Sequence, residues 1–81
     1  MGVWDGKVVI VGPGADLDVL AGARAAVVAD PDAAAVGAAV GRWRVRGVWA
    51  CGFVGSSDDD AVLQMAAELF PDSDVVLGPS A

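Results

Sequence analysis

Four short runs of β-branched or small apolar residues recur along this 81-residue chain, each closed by glycine, proline or aspartate. Val8, Val9, Ile10 and Val11 stop at Gly12-Pro13-Gly14, and residues 25–29 stop at Asp30-Pro31. A third run covers about residues 45–54 and stops at Gly55, and residues 74–77 stop at Gly78-Pro79. Runs that are apolar at consecutive positions, not alternate ones, belong to strands buried on both faces. Such strands need helices above and below them. In a chain of this length that leaves room for one sheet in one small domain, residues 1–81.

The stretches between the runs carry helix signals. Residues 16–23 are expected to form a short first helix. The second opens with Asp30 as N-cap and Pro31 at the first helical position, where a missing N–H costs nothing. It continues through residues 33–40. Ala33, Gly37 and Gly41 stand four apart, a small-residue stripe predicted to let this helix lie close on the sheet. The third helix starts at Ser56-Ser57 and ends at Phe70, before Pro71. Val62, Met65, Ala66 and Leu69 share one of its faces. Asp58, Asp59 and Asp60 occupy its first turn, where the helix dipole favours negative charge. The order β-α-β-α-β-α-β predicts an α/β fold, a small Rossmann-like or flavodoxin-like domain with a four-stranded, mostly parallel sheet. The expected strand order is 2-1-3-4. The alternative is an α+β fold in which strand 44–54 pairs antiparallel.

Ala, Val and Gly number 16, 15 and 11, so the core is built from small side chains. Trp49 and Phe53 are expected to supply bulk to it. The chain has no His, which excludes Ser–His and Cys–His nucleophilic pairs and imidazole bases. Ser56 and Ser57 are read as helix-capping residues, and no catalytic residue is assigned. The net charge of −6 argues against affinity for nucleic acid or anionic membrane. The longest apolar stretch, residues 19–29, is interrupted by Arg24 and falls short of the about 20 residues a membrane helix needs. No basic segment precedes an apolar one at the N-terminus, so no targeting segment is expected. Cys51 has no second cysteine to pair with. The expected location is the cytoplasm.

In an open parallel sheet, ligands bind beyond the carboxyl ends of the strands. Gly12 and Gly14, with Ser56 at a neighbouring strand end, form a candidate ligand loop. They do not make a dinucleotide fingerprint, because Leu17 stands where the third glycine belongs and Pro13 removes a backbone donor. No cofactor is expected under the main reading. The second candidate is a divalent-cation site. Asp30 and Asp32 follow one strand, and Asp16 and Asp58 lie at neighbouring strand ends, an oxygen-rich set of the kind Mg²⁺ takes. Lys7-Val-Val-Ile-Val-Gly12, followed by Ala-Ala-Val-Val-Ala-Asp30-Pro-Asp32-Ala-Ala, resembles the two motifs of the Toprim fold of primases, topoisomerases and small nucleases. The resemblance covers about half of the chain, residues 7–40. It implies a reduced Mg²⁺-binding domain acting on phosphodiester or nucleotide substrates. In that family a strand-end Glu joins the Asp-x-Asp pair; here no Glu follows the first strand, and the single Glu68 lies in a predicted helix.

The remaining feature is Arg42-Trp43-Arg44-Val45-Arg46. Extended, this segment would place its arginines on one face and Trp43 and Val45 on the other. Residues 1–41 carry −3, residues 42–55 carry +3 and residues 56–81 carry −6. A basic patch followed by acidic flanks suits pairing with a second copy or with another protein. Arg and Trp are also the usual anchors of interfaces. The expected function is therefore a small non-catalytic protein acting by protein–protein contact, through self-association or a partner protein. Its interface residues are Arg42, Trp43, Arg44 and Arg46, with Trp4 as a second anchor.

Overall fold

The computed structural model describes residues 4–15, 22–55 and 58–78. Among them are strands β1 (Val8–Val11), β2 (Ala25–Asp30), β3 (Ala50–Val54) and β4 (Val75–Leu77), with helices α1 (Ala33–Val45) and α2 (Asp59–Leu69). The four strands form one all-parallel sheet in the order β3-β2-β1-β4. The α/β reading therefore holds. The antiparallel alternative does not, because β3 pairs parallel with β2 from Ala26↔Ala50 to Asp30↔Val54.

The expected order 2-1-3-4 is corrected: β3 lies outside β2, and β4 takes the place beside β1. The burial of the strands gives the reason. All of β1 and the first part of β2 are buried, so these strands need cover on both faces and both edges. β3 carries Gly52 and alternates between covered and exposed residues, and β4 has three residues, none fully buried. The two weaker strands take the edges. The resulting 3-2-1-4 is also the order of the first strands of doubly wound nucleotide-binding sheets.

Successive residues of a strand point to opposite faces, and the two helices divide them. On one face Val9, Val11, Ala26, Val28 and Ala50 pack with Val36, Ala39 and Trp43 of α1. On the other, Val8, Ile10, Ala25 and Val27 pack with Val62 and Ala66 of α2. The molecule is thus a three-layer sandwich. Each valine so buried contributes about 1.5–3 kcal/mol relative to exposure.

Both ends of α1 differ from expectation. Asp30 belongs to β2, still in register with Val54, so the helix begins after one more turn. The N-cap is Asp32, whose carboxylate accepts the Ala34 N–H at 3.0 Å, while the Asp30 carboxylate accepts the Asp32 N–H at 2.9 Å. At the other end, residues 42–45 are helical, not extended. Gly47 has φ 84°. The Val48 N–H donates to the Trp43 carbonyl and the Gly47 N–H to the Arg44 carbonyl, each at 3.0 Å. This pair of bonds is a Schellman closure, which needs a left-handed residue at the position Gly47 holds. Arg42 and Arg44 lie in the last turn, favoured by the helix dipole.

The small-residue stripe also has another place. Ala33, Gly37 and Gly41 face solvent, with nothing near a Cβ at either glycine. The close approach comes from the strand instead: a Cβ at Gly52 would run into Val36 Cγ1, with Val40 Cγ2 at 3.6 Å. Of the expected first helix, residues 16–21 lie outside the described residues, and Gly22 sits in a turn. Ser56 and Ser57 are likewise outside them. The N-cap of α2 is Asp58, whose carboxylate accepts the Asp60 N–H at 3.1 Å.

Candidate functional site

Asp30, Asp32 and Asp58 all follow the carboxyl ends of strands, at one end of the sheet. Asp30 ends β2, and Asp58 follows the neighbouring strand β3 as the N-cap of α2; the two strands are tied at this end by the Gly55 N–H, which donates to the Asp30 carbonyl at 3.3 Å. Each carboxylate is occupied with a backbone N–H of its own turn. Among the described residues no group of three or more His, Cys, Asp or Glu is placed to hold a metal ion. Asp16, the fourth expected ligand, lies outside those residues. At the end of β1, Gly12 and Gly14 flank Pro13, whose carbonyl accepts from Arg42 Nη2 at 2.7 Å. The Ala15 N–H, the next donor in this turn, already bonds to the Gly12 carbonyl at 3.2 Å. Ser56, the third expected loop residue, lies outside the described residues.

The structure divides the Arg-Trp segment. Trp43 is 0% exposed, the largest of the fully buried side chains, and packs between α1 and the sheet. Its expected role as an exposed anchor is corrected: helical, not extended, geometry turns it inward, onto the same face as Val36 and Ala39. Its indole N–H has no acceptor among the described residues. Arg42 holds the Pro13 carbonyl. Arg44 donates from Nε at 3.2 Å and from Nη2 at 3.1 Å to the Ala50 carbonyl. Arg46 is the C-cap of α1. The guanidiniums of Arg42 and Arg44 thus serve backbone carbonyls on two different strands' flanks. Trp4 is half-buried and packs against the α1-side core. Burial pushes the Cys51 thiol above its ordinary value, and the nearby Arg44 charge pulls it down by less, so at neutral pH the thiol stays protonated.

Among the described residues the exposed large apolar side chains are Val45, Trp49, Val54, Leu69 and Leu77. Trp49, expected in the core, is 54% exposed and rests its ring edge-on against Phe70, centroids 5.5 Å apart at 87°. Val45 is 87% exposed, Val54 53%, and Leu69 is exposed as well. Val45 closes α1, Leu69 closes α2 and Trp49 leads into β3, so all three lie at the end of the sheet where the strands begin. A shallow open depression of about 340 Å³ lies at the last turn of α1, lined by Gly41, Arg42, Val45 and Arg46. The alternation of β3 between covered and exposed residues marks it as an edge. Its sequence, Ala-Cys-Gly-Phe-Val, holds no charge and no proline, the usual devices that blunt an edge.

The free edge of β3 is defined by its hydrogen bonds. The Trp49 carbonyl accepts from the Ala26 N–H at 2.9 Å, and the Gly55 N–H donates to Asp30. In a parallel ladder alternate residues of a strand bond to the same neighbour. Residues 49, 51, 53 and 55 therefore serve β2, and Ala50, Gly52 and Val54 turn their N–H and C=O groups outward. Arg44 caps the outward carbonyl of Ala50, which leaves Gly52 and Val54 as the open part of the edge. No helix among the described residues is long and apolar enough to cross a membrane. No protein-family model matches the chain, and no curated protein matches it.

Proposed function

We propose that this chain is a non-catalytic module that acts by protein–protein contact, and that the contact surface is the β3 edge with the exposed ends of α1 and α2. The observation that carries this reading is the uncharged edge strand β3, with Trp49 and Val54 each about half exposed at its two ends. A small sheet leaves such an edge open only at the risk of indiscriminate pairing, and a partner that covers it removes the risk. Aromatic residues and arginine are the side chains that anchor interfaces. Arg42, Arg44 and Arg46 frame the surface, and Trp49 takes the anchor role expected of Trp43 and Trp4. The net charge of −6 sets the module apart from nucleic-acid binders. The cytoplasm is the proposed compartment, because Cys51 has no partner cysteine and suits reducing conditions.

The test is site-specific photo-crosslinking of the full chain in cells. A benzophenone side chain at Val54 should give one adduct of defined mass, either with a second copy or with another protein. The same probe at Gly37, on the open outer face of α1, should give none, and Trp49→Ser should abolish the Val54 adduct. Equal labelling at both positions, or no adduct at Val54, would refute the reading.

A further inference from the structure

We infer that Arg44 is an edge guard: from the last turn of α1 it closes the first outward carbonyl of β3 and so keeps the strand from pairing indiscriminately along its whole length. The inference stands on the hydrogen bonds of the edge. It goes beyond the contact reading above and does not need it.

The hazard lies in the strand itself. β3 reads Ala-Cys-Gly-Phe-Val, uncharged, at the edge of an all-parallel sheet. Apolar edge segments without charge or proline are the ones that pair with other copies and go on pairing. Trp49 and Val54, each about half exposed, add apolar surface at its two ends. No charged residue lies between Arg46 and Asp58. Protection of the strand therefore has to come from another element.

Arg44 supplies it. The backbone groups of Ala50, Gly52 and Val54 turn away from β2. Arg44 donates from both Nε and Nη2 to the Ala50 carbonyl, at 3.2 and 3.1 Å. A carbonyl oxygen has two lone pairs, so these two donors fill it. A strand arriving at this edge finds no acceptor there, and must also strip water from a guanidinium to come alongside. Gly52 and Val54 remain to pair, and a glycine inside a strand weakens that pairing. The reach is set by the chain between. Gly47, at φ 84°, closes α1 and turns the backbone, so that residues six apart in sequence meet. Arg42 in the same helical turn gives the contrast: it holds the Pro13 carbonyl, which follows β1 and lies on no free edge of β3.

Sedimentation velocity of the full chain over a wide concentration range, read beside circular dichroism, tests the guard. Arg44→Met keeps the apolar stem and removes every donor. It should keep the native spectrum and lower the concentration at which large assemblies form by about tenfold or more, the scale of losing a hydrogen bond to a charged group. Arg42→Met removes a comparable hydrogen bond and should assemble no more readily than the wild type. The double variant R44M/V54K puts a charge on the strand itself and should return to wild-type behaviour. An R44M variant as dispersed as the wild type overturns the inference. So does equal assembly of R42M, or assembly of R44M that V54K leaves unchanged. Should Arg44→Met fail to fold, Arg44→Lys decides: a smaller shift in the same direction is expected, and no shift overturns the inference. The Val54 adduct tests the contact reading separately. A dispersed R44M variant leaves that reading standing, and a missing adduct refutes it without touching the guard.

Discussion

Trp43 sits between two arginines in the sequence, and its burial is decided by helical phase alone. An extended Arg-Trp-Arg-Val-Arg segment shows its tryptophan to solvent on one side; a helical one carries Trp43 round to join Val36 and Ala39. Trp43→Ala should therefore act on folding, with a cost of about 3–5 kcal/mol from the lost contacts and the cavity. That is a large share of the about 5–15 kcal/mol that holds a domain together. Trp43→Phe should cost much less than Trp43→Ala, because it fills most of the space and removes an indole N–H that has no acceptor among the described residues. Urea denaturation of the two variants measures both values. Equal losses would place Trp43 outside the core. The same phase argument exposes Val45 and leaves Trp49 to be the aromatic at the surface.

At the scale of elements, the boundary between α1 and β3 turns on Gly47. The apolar residues Val45, Val48 and Trp49 read as one long strand, and the helix signals were the basic last turn and the glycine that follows it. Those signals are visible in the sequence, but they compete with a β-branched run, and the apolar pattern alone cannot arbitrate. Gly47→Ala should cost about 1–2 kcal/mol, the penalty of a side chain in the left-handed region. Thermal unfolding reads the loss, and a neutral result would mean that the chain leaves α1 by another geometry. The N-terminus of α1 shows a similar competition. Asp30 and Asp32 are both good caps, and pairing of Asp30 with Val54 in the sheet gives the role to Asp32. Asp32 and Asp58, two of the aspartates expected as metal ligands, thus hold backbone N–H groups at the starts of the two helices.

For the molecule as a whole, the order of the strands sets a gradient of protection. β1 and β2 are central and buried, while β4 is short and lies at an edge. Amide hydrogen exchange should be slowest in Val9, Ile10, Val27 and Val28 and fastest in β4. Along β3 the pattern should alternate. Cys51 and Phe53 donate to β2 and should be protected at every concentration. Gly52 and Val54 point outward and should exchange faster than Cys51 and Phe53. Rates at Gly52 and Val54 as slow as those at Cys51 and Phe53 would show that this edge is covered.

Local chemistry determined much of this protein from its sequence: the α/β class, the four strands, the two described helices and the aspartates at their starts. These follow from neighbours along the chain, through hydrophobic runs, turn residues and caps. Which strand became an edge followed from none of them. It depended on how well each strand could be covered on both faces, a property that exists only when the sheet is assembled. The candidate site follows the same division. The arginines, aspartates and tryptophans were all visible as residues. Only tertiary packing sent Trp43 inward, spent Arg42 and Arg44 on backbone carbonyls, and left β3 at an edge of the sheet.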